Sequence, residues 1–287
     1  MQGVDPLLEV RALQRHFVLR RSMLGRPLKV VRAVDGVDIS VRPGSTLALV
    51  GESGSGKSTL GRCVARLDTP TGGTVHFSGK DVLAAHGAAL GQFRREVQTI
   101  FQDPFSSLNP RRTIGDAIGD GPTIHGLMPK DAIRDLVQQL LTRVGLRPDH
   151  ADRYPHEFSG GQRQRIAIAR ALALAPKFII ADEAVSSLDV SIRAQILNLL
   201  LDIQAERGLS FLFISHDLGV VRHVADDVAI MQAGKIVERG PVDQIFTDPR
   251  EAYTKALLHA VPRATLGRRH RDGVVARTSM STTRPIS

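Results

Sequence analysis

Apolar residues in the second half of the chain follow two alternating patterns. Short continuous runs such as KFIIAD and LSFLFISH are typical of strands buried on both faces. The segments between and after them, SIRAQILNLLLDIQAERG and LGVVRHVA, have the spacing of helices. Strands that alternate with helices predict a parallel sheet covered on both faces. We therefore expect an α/β core.

The first half of the chain begins with strand-like alternation and becomes helical later. PLLEVRALQRHFVL and KVVRAVDGVDISVRPGSTLALV predict short strands with turns at Asp35-Gly36 and Pro43-Gly44, and a long basic hairpin or loop between the two segments. A helix is expected after Gly51, and GGTVHFSG predicts a further short strand. Leu108 to Leu174 is mostly helical in pattern, with DAIRDLVQQLLTRVGL its clearest amphipathic segment.

Composition excludes several classes of protein and site. The 287 residues, 42% hydrophobic and 23% charged, are typical of a globular protein with one large domain or two interlocked ones. The sequence contains neither a signal-peptide core at its start nor an apolar stretch near the ~18 residues of a membrane span, so we expect the chain to stay in the cytosol. Cys63 is the only cysteine, which excludes an internal disulfide or a multi-thiolate metal site.

The net charge of +9 is concentrated in two segments. Residues 11–32 carry +7 and the tail from Arg263 carries +5, so the rest of the chain sums to −3. Anionic lipid headgroups explain this distribution at least as well as DNA does, and solvated charged loops explain it too. The charge alone does not choose between these interpretations.

LALVGESGSGKST contains the pattern G-x-x-x-x-G-K-[ST], placed after an apolar strand and at the start of a helix. In such a loop the backbone N–H groups surround phosphate oxygens, Lys57 reaches the β- and γ-phosphates, and the Ser58 hydroxyl binds Mg²⁺. The strand before it and the helix after it make a chance match improbable. The sequence therefore predicts a nucleotide phosphate site at Gly51–Thr59.

Three further segments place reactive side chains directly after predicted strands. In FIIADE, Asp182 is a candidate Mg²⁺ ligand and Glu183 a candidate general base, because acids at the carboxyl ends of parallel strands fall where ligands bind. His216 follows the next strand, in FISH, which would bring it near the γ-phosphate. Gln102, in TIFQDP, carries little information alone.

FSGGQRQRIAIARALALAP begins with a predicted helix cap. Ser159, Gly160 and Gly161 precede apolar residues at helical spacing. A capped helix start presents free N–H groups and the positive end of the helix dipole, which together form an anion site. The chain already has a phosphate loop, so this second anion site favours a role in a shared site.

Taken in order, these motifs closely resemble those of the ATP-binding subunits of ABC transporters, over about Leu7 to Pro262. The resemblance implies a P-loop NTPase fold of the ABC ATPase type: a RecA-like parallel-sheet core, an N-terminal antiparallel β subdomain, and an inserted α-helical subdomain at about 103–174. Residues 263–287 are expected to form a basic, disordered tail.

The family pattern assigns a role to each matching residue, with ATP and Mg²⁺ as the cofactors. Glu183, His216 and Gln102 would be catalytic, and Ser58, Gln102 and Asp182 would bind Mg²⁺. Phe17 would stack on adenine. The residues that would contact ATP through the phosphate loop are Gly51, Ser53, Gly54, Ser55, Gly56, Lys57, Ser58 and Thr59. Those that would contact the ATP held by a second subunit are Ser159, Gly160, Gly161, Gln162 and Asp189.

A C-terminal segment narrows the resemblance to the dipeptide and oligopeptide importers. The element at about 241–262 matches their pattern at Pro249, Tyr253, Thr254, Leu257, Leu258 and Pro262. The basic insertion between Phe17 and Val31 is also typical of that group. Phe158, Ala184 and Ser187 depart from the commonest family residues, but none of these changes removes a reactive group.

The resemblance implies a subunit that energises a membrane importer from the cytoplasmic face of the membrane. Its partners would be a second, unlike ATPase chain, two transmembrane permease subunits and an extracytoplasmic solute-binding protein, without nucleic acid. A nickel or peptide-like-compound importer is an alternative, and a soluble ABC ATPase outside transport is a weaker one. Cargo is not encoded in such a subunit.

Overall fold

The computed structural model describes residues 5–21, 27–103 and 108–260. Its strands are β1 (Leu8–Arg21), β2 (Pro27–Val41), β3 (Thr46–Val50), β4 (Gly72–Phe77), β5 (Lys80–Asp81), β6 (Val97–Ile100), β7 (Phe178–Asp182), β8 (Ser210–Ser215), β9 (Asp227–Gln232) and β10 (Lys235–Pro241). Its helices are α1 (Lys57–Val64), α2 (Gly87–Glu96), α3 (Ile114–Ile124), α4 (Lys130–Arg143), α5 (Gly160–Leu172), α6 (Val190–Arg207), α7 (Leu218–Val224), α8 (Val242–Thr247) and α9 (Ala252–His259).

The larger sheet has the strand order β10-β9-β3-β8-β7-β6. Its strands are parallel from β9 to β6, and β10 pairs antiparallel with β9 at one edge. Every residue of β3 and β8 is buried, which explains their continuous apolar runs. The predicted parallel core is confirmed, and its carboxyl-terminal edge gathers the ends of β3, β8 and β7.

A second, antiparallel sheet has the order β2-β1-β4-β5 and contains the long hairpin of β1 and β2. The predicted turn at Pro43-Gly44 is present. The predicted turn at Asp35-Gly36 is wrong, because β2 continues through these residues with a shift in its pairing to β1. Gly36 has φ +75°, so it supports a bulge where the sequence suggested a reversal of the chain.

Helices α3, α4 and α5 lie between β6 and β7 in the sequence. Their apolar faces meet in one buried cluster that includes Ile118, Leu141 and Ile166. The predicted amphipathic segment is confirmed as α4, and Gly145 follows it with φ +76°. The proposed subdomain 103–174 includes residues 104–107, which lie outside the described residues, as do part of the basic insertion, Pro262 and the tail 263–287.

Within the described parts of the chain, none of the helices combines the length and the apolar character that crossing a membrane would require.

Candidate functional site

The residues predicted for phosphate chemistry meet at the carboxyl-terminal edge of the core sheet. Gly51 follows β3, Asp182 ends β7, and His216 follows β8. Strand β8 lies between the other two, with Ile214 opposite Asp182 in the register. The order of the strands thus brings together segments that are far apart in the sequence.

The phosphate loop packs closely between β9 and β2, and this close packing explains why two of its positions are glycine. A Cβ atom added to Gly51 would lie 2.1 Å from the carbonyl oxygen of Met231, and one added to Gly56 would lie 1.9 Å from that of Ala33. Gly56 also has φ +106°, a conformation that favours glycine. The loop backbone therefore approaches its neighbours more closely than any side chain would allow.

Lys57 lies inside this loop with 4% of its surface exposed. Its Nζ donates hydrogen bonds to the carbonyl oxygens of Gly51 and Glu52, both at 2.8 Å, and lies 3.4 Å from the Ser55 hydroxyl oxygen. Burial lowers the pKa of Lys57, and the carboxylates of Glu183 and Asp182 oppose that shift. The ammonium group is thus held at the center of the loop by weak carbonyl dipoles, which phosphate oxygens can replace.

Ser58 and Asp182 form an oxygen-rich pair beside Lys57. The Ser58 hydroxyl donates a hydrogen bond of 2.9 Å to Oδ1 of Asp182. Burial raises the pKa of Asp182, and the nearby Glu183 carboxylate adds to this, although the Ser58 hydrogen bond and the Lys57 charge lower it. A buried carboxylate whose pKa is raised is stabilised by an added cation. Hydroxyl and carboxylate oxygens are the ligands that Mg²⁺ prefers, so this pair fits the metal.

Glu183 adopts a left-handed backbone conformation, with φ +48°. Its N–H donates to the Ile214 carbonyl at 3.0 Å, and its own carbonyl accepts from the Ser186 hydroxyl at 2.9 Å. Such a conformation is costly for a residue other than glycine and is often found at functional sites. Oε1 of Glu183 lies 3.2 Å from Nδ1 of His216, so the predicted base and the predicted catalytic histidine are in contact.

The sequence did not predict one contact that supports the site, the pair of Asp217 and Arg193. Asp217, next to His216, caps α7 by accepting from the Gly219 N–H at 2.9 Å, and its other carboxylate oxygen accepts from Arg193 Nη1 at 2.9 Å. Arg193 also donates to the Leu188 carbonyl at 3.0 Å. An aspartate before an apolar helical pattern is a recognisable cap, but nothing local indicates its partner Arg193 on α6.

The predicted helix cap at Ser159 is confirmed at the start of α5. The Ser159 hydroxyl accepts from the Gln162 N–H at 3.4 Å, and the Gln162 side-chain oxygen accepts from the Ser159 N–H at 3.0 Å. A Cβ atom on Gly161 would lie 2.6 Å from Ile192 of α6, whereas one on Gly160 would meet nothing within 4 Å. Gly161 thus has a packing role, and the open side of α5 begins at Gly160.

The remaining predicted residues are Asp189, Gln102 and Phe17. Among the hydrogen bonds of the described residues, none joins these three to the phosphate loop. The Asp189 carboxylate caps α6 by accepting from the Ile192 N–H at 2.9 Å. Gln102 is exposed two residues after β6, at the same sheet edge as Asp182. Phe17 is partly buried on β1, with the guanidinium carbon of Arg15 4.4 Å from its ring centroid. Their roles toward ATP stay predictions.

Comparisons with known proteins agree with this geometry. Residues 34–186 match the family model "ABC transporter", and residues 237–284 match "Oligopeptide/dipeptide transporter, C-terminal region". The chain is 54% identical over 272 residues to the glutathione import ATP-binding protein GsiA of Shigella dysenteriae, and 53% identical over 271 residues to that of Escherichia coli. Each alignment covers 94% of this chain and 44% of the relative.

Two solved structures are similar over most of the chain. One is a dimer of the ATP-binding cassette MJ0796 in a post-hydrolysis state bound to ADP and Pi, with a TM-score of 0.72 and 26% identity. That match covers 82% of this chain and 98% of the other. The second is cbiO1 of Clostridium perfringens, part of the transporter complex cbiONQ, with a TM-score of 0.72, 26% identity, and coverage of 91% and 98%.

Proposed function

Because this chain belongs to the ABC transporter family, we propose that it binds and hydrolyses ATP and thereby energises a membrane importer of dipeptides or oligopeptides. The observation that carries the ATPase proposal is the buried Lys57, held among loop carbonyls beside the Ser58–Asp182 pair. The match of residues 237–284 and the similarity to glutathione importers support peptide cargo, since glutathione is itself a small peptide. The chain spans less than half the length of those relatives.

Binding of ATP would use groups that the loop already orients. Lys57 would exchange its two carbonyl hydrogen bonds for phosphate oxygens, which are stronger, charged acceptors. Ser53, Gly54 and the start of α1 would present backbone N–H groups to the phosphates. Ser58 and Asp182, with Gln102, would hold Mg²⁺, which offsets negative charge on the β- and γ-phosphates when bound.

Hydrolysis would depend on Glu183 and His216. The Glu183 carboxylate would orient a water molecule and accept its proton, and His216, 3.2 Å away, would hold that carboxylate in place. Lys57 would stabilise the charge that develops on the transferred phosphoryl group. The left-handed backbone of Glu183 would set the direction in which its Cα–Cβ bond leaves the loop.

The proposed working unit contains two such ATPase chains, the second of them unlike this one. The N-terminus of α5, with Ser159, Gly160 and Gln162, would contact the ATP of the partner, and Asp189 would lie beside it. Two permease subunits and an extracytoplasmic solute-binding protein complete the importer, with this chain at the cytoplasmic face of the membrane. The alternative is that the importer carries nickel or a peptide-like compound.

The first test of this proposal replaces Lys57 by alanine. Hydrogen bonds to charged groups contribute about 1.5–3 kcal/mol each, so the affinity for MgATP should fall roughly 10- to 100-fold. Isothermal titration calorimetry measures this loss directly. Lys177→Ala is the matched control, because Lys177 is an exposed lysine paired with Glu96 on the surface. Equal affinities of the Lys57 variant and the unmodified protein would remove Lys57 from the nucleotide site.

A second test distinguishes transport from a soluble role. After detergent extraction of the membranes, a tagged copy of this chain is expected to co-purify with two multi-span proteins. Its recovery with soluble proteins alone would favour the non-transport alternative. Titrating the associated solute-binding protein with dipeptides, longer peptides, glutathione and nickel chelates would then identify the cargo class.

A further inference from the structure

A tyrosine from the C-terminal element touches the phosphate loop. The backbone N–H of Glu52, the second residue of the loop, donates a hydrogen bond of 3.1 Å to the hydroxyl oxygen of Tyr253 on α9. The two residues are 201 positions apart in the sequence. Tyr253 lies in the region that matches the oligopeptide/dipeptide transporter model, well beyond the segment that matches the ABC transporter model.

The position of Tyr253 is fixed from two sides. The Glu238 carboxylate on β10 accepts hydrogen bonds from the N–H groups of Arg250 at 2.8 Å and Glu251 at 3.2 Å, which holds the start of α9. The Tyr253 ring packs on a buried cluster that includes Val50, the last residue of β3 before the loop. Both the helix that carries the tyrosine and the strand that carries the loop are therefore anchored to the core sheet.

The electrostatics of Glu238 strengthen this anchor. Burial raises the pKa of its carboxyl, but the Thr254 hydroxyl, the two N–H groups and the Arg250 charge outweigh that effect and lower the pKa. Glu238 is thus a carboxylate at neutral pH, and a carboxylate at a helix N-terminus stabilises the helix. The C-terminal helix is held against the core by a charge as well as by apolar contacts.

The tyrosine holds a backbone group of the loop that Lys57 does not hold. Lys57 holds the start of the loop through the carbonyls of Gly51 and Glu52. A Lys57 ammonium that binds phosphate oxygens would have fewer of its three N–H donors left for these two carbonyls. The hydrogen bond from Glu52 to Tyr253 uses the opposite backbone group, the N–H, and does not depend on Lys57.

We propose that Tyr253 is a positioning residue that fixes the start of the phosphate loop, so that the C-terminal element sets the affinity of the loop for nucleotide. This inference rests on the proposed function in one respect, that the ligand of the loop is ATP. It adds a role for the C-terminal element inside the nucleotide site of the same chain.

The test replaces Tyr253 by phenylalanine, which removes the hydroxyl and keeps the ring in its cluster. Net loss of one hydrogen bond predicts about a fivefold weaker Kd for MgADP and MgATP. The midpoint of thermal unfolding without nucleotide should fall slightly, because one hydrogen bond of the folded protein is lost, and the rise of the midpoint on adding MgADP should shrink as well. Tyr154→Phe is the matched control, because Tyr154 is the other of the two tyrosines in the chain and is exposed.

A second measurement reads the contact without relying on the variant's stability. Protein labelled with 3-fluorotyrosine should give two ¹⁹F resonances, which the Tyr154→Phe variant assigns. Saturating MgADP is expected to shift the Tyr253 resonance and to leave the Tyr154 resonance in place. A Tyr253 resonance that does not move, or a Tyr253→Phe variant with the Kd of the unmodified protein, would overturn the inference. Failure of the unmodified protein to bind nucleotide would instead overturn the proposed function.

Discussion

Replacing Glu183 by glutamine is expected to lower ATP turnover by at least about 100-fold while MgATP still binds, since a positioned general base contributes about 10²–10⁴ in rate. Glutamine has the same length and can occupy the same φ of +48°, so the backbone at this position need not change. Its amide can still contact His216 but cannot accept a proton from water. Mixed with its proposed partner ATPase, the variant should therefore accumulate in an ATP-bound dimer, which size-exclusion chromatography with and without MgATP would detect.

The control for Glu183→Gln is Glu206→Gln. Glu206 lies near the end of α6 and pairs with Arg143 at the surface, so its replacement removes the same charge far from the sheet edge. Turnover of this control should match that of the unmodified protein. If Glu183→Gln also hydrolyses ATP at the full rate, Glu183 is not the base, and His216 or a residue of the second chain must activate the water.

The sequence was sufficient to predict those parts of the site that are formed by one continuous segment of the chain. The phosphate loop is one continuous segment between a strand and a helix, and the Ser159 cap is made by residues within four positions of each other. Asp182 and Glu183 were predictable because the apolar run that precedes them in β7 fixes where the carboxyl end of the strand falls. In each case a single segment contains both the signal and the structure that it predicts.

Contacts between distant segments could not be predicted from the sequence. The prediction of a turn at Asp35-Gly36 was wrong because glycine with positive φ occurs in bulges as well as in turns. Only the pairing with β1 decides between the two. The Arg193–Asp217 pair and the Tyr253–Glu52 contact join elements brought together by the strand order. No periodicity in the chain encodes those partners.

Ser159→Arg is expected to abolish most ATP turnover and to leave the affinity of this chain's own phosphate loop for MgATP unchanged. An arginine at this exposed N-cap would project from the start of α5, where the proposal places the partner's γ-phosphate. The variant would lose one charge-assisted contact, and the interface between the two chains could no longer close. Together these losses predict a fall of roughly 100-fold or more in turnover. Ser159→Ala is the matched comparison: it removes the same helix cap, worth about 1 kcal/mol, and the same hydroxyl contact but adds no bulk, so its turnover should fall less than that of Ser159→Arg.

Mixing variants would decide whether Ser159 serves the ATP of its own chain or that of a partner. In a dimer of one Ser159→Arg chain and one Lys57→Ala chain, a shared-site arrangement places both defects in one site and leaves the other site intact. Two inactive preparations should then regain part of the normal turnover when they are mixed. If Ser159 acted on its own chain's nucleotide, each chain in the mixed dimer would carry a defective site and no activity would return.

If the second ATPase is an unlike chain, the same cross is made by placing the lysine substitution in that partner. Recovery in either format would make the pair of chains, joined through the N-terminus of α5, the unit that hydrolyses ATP.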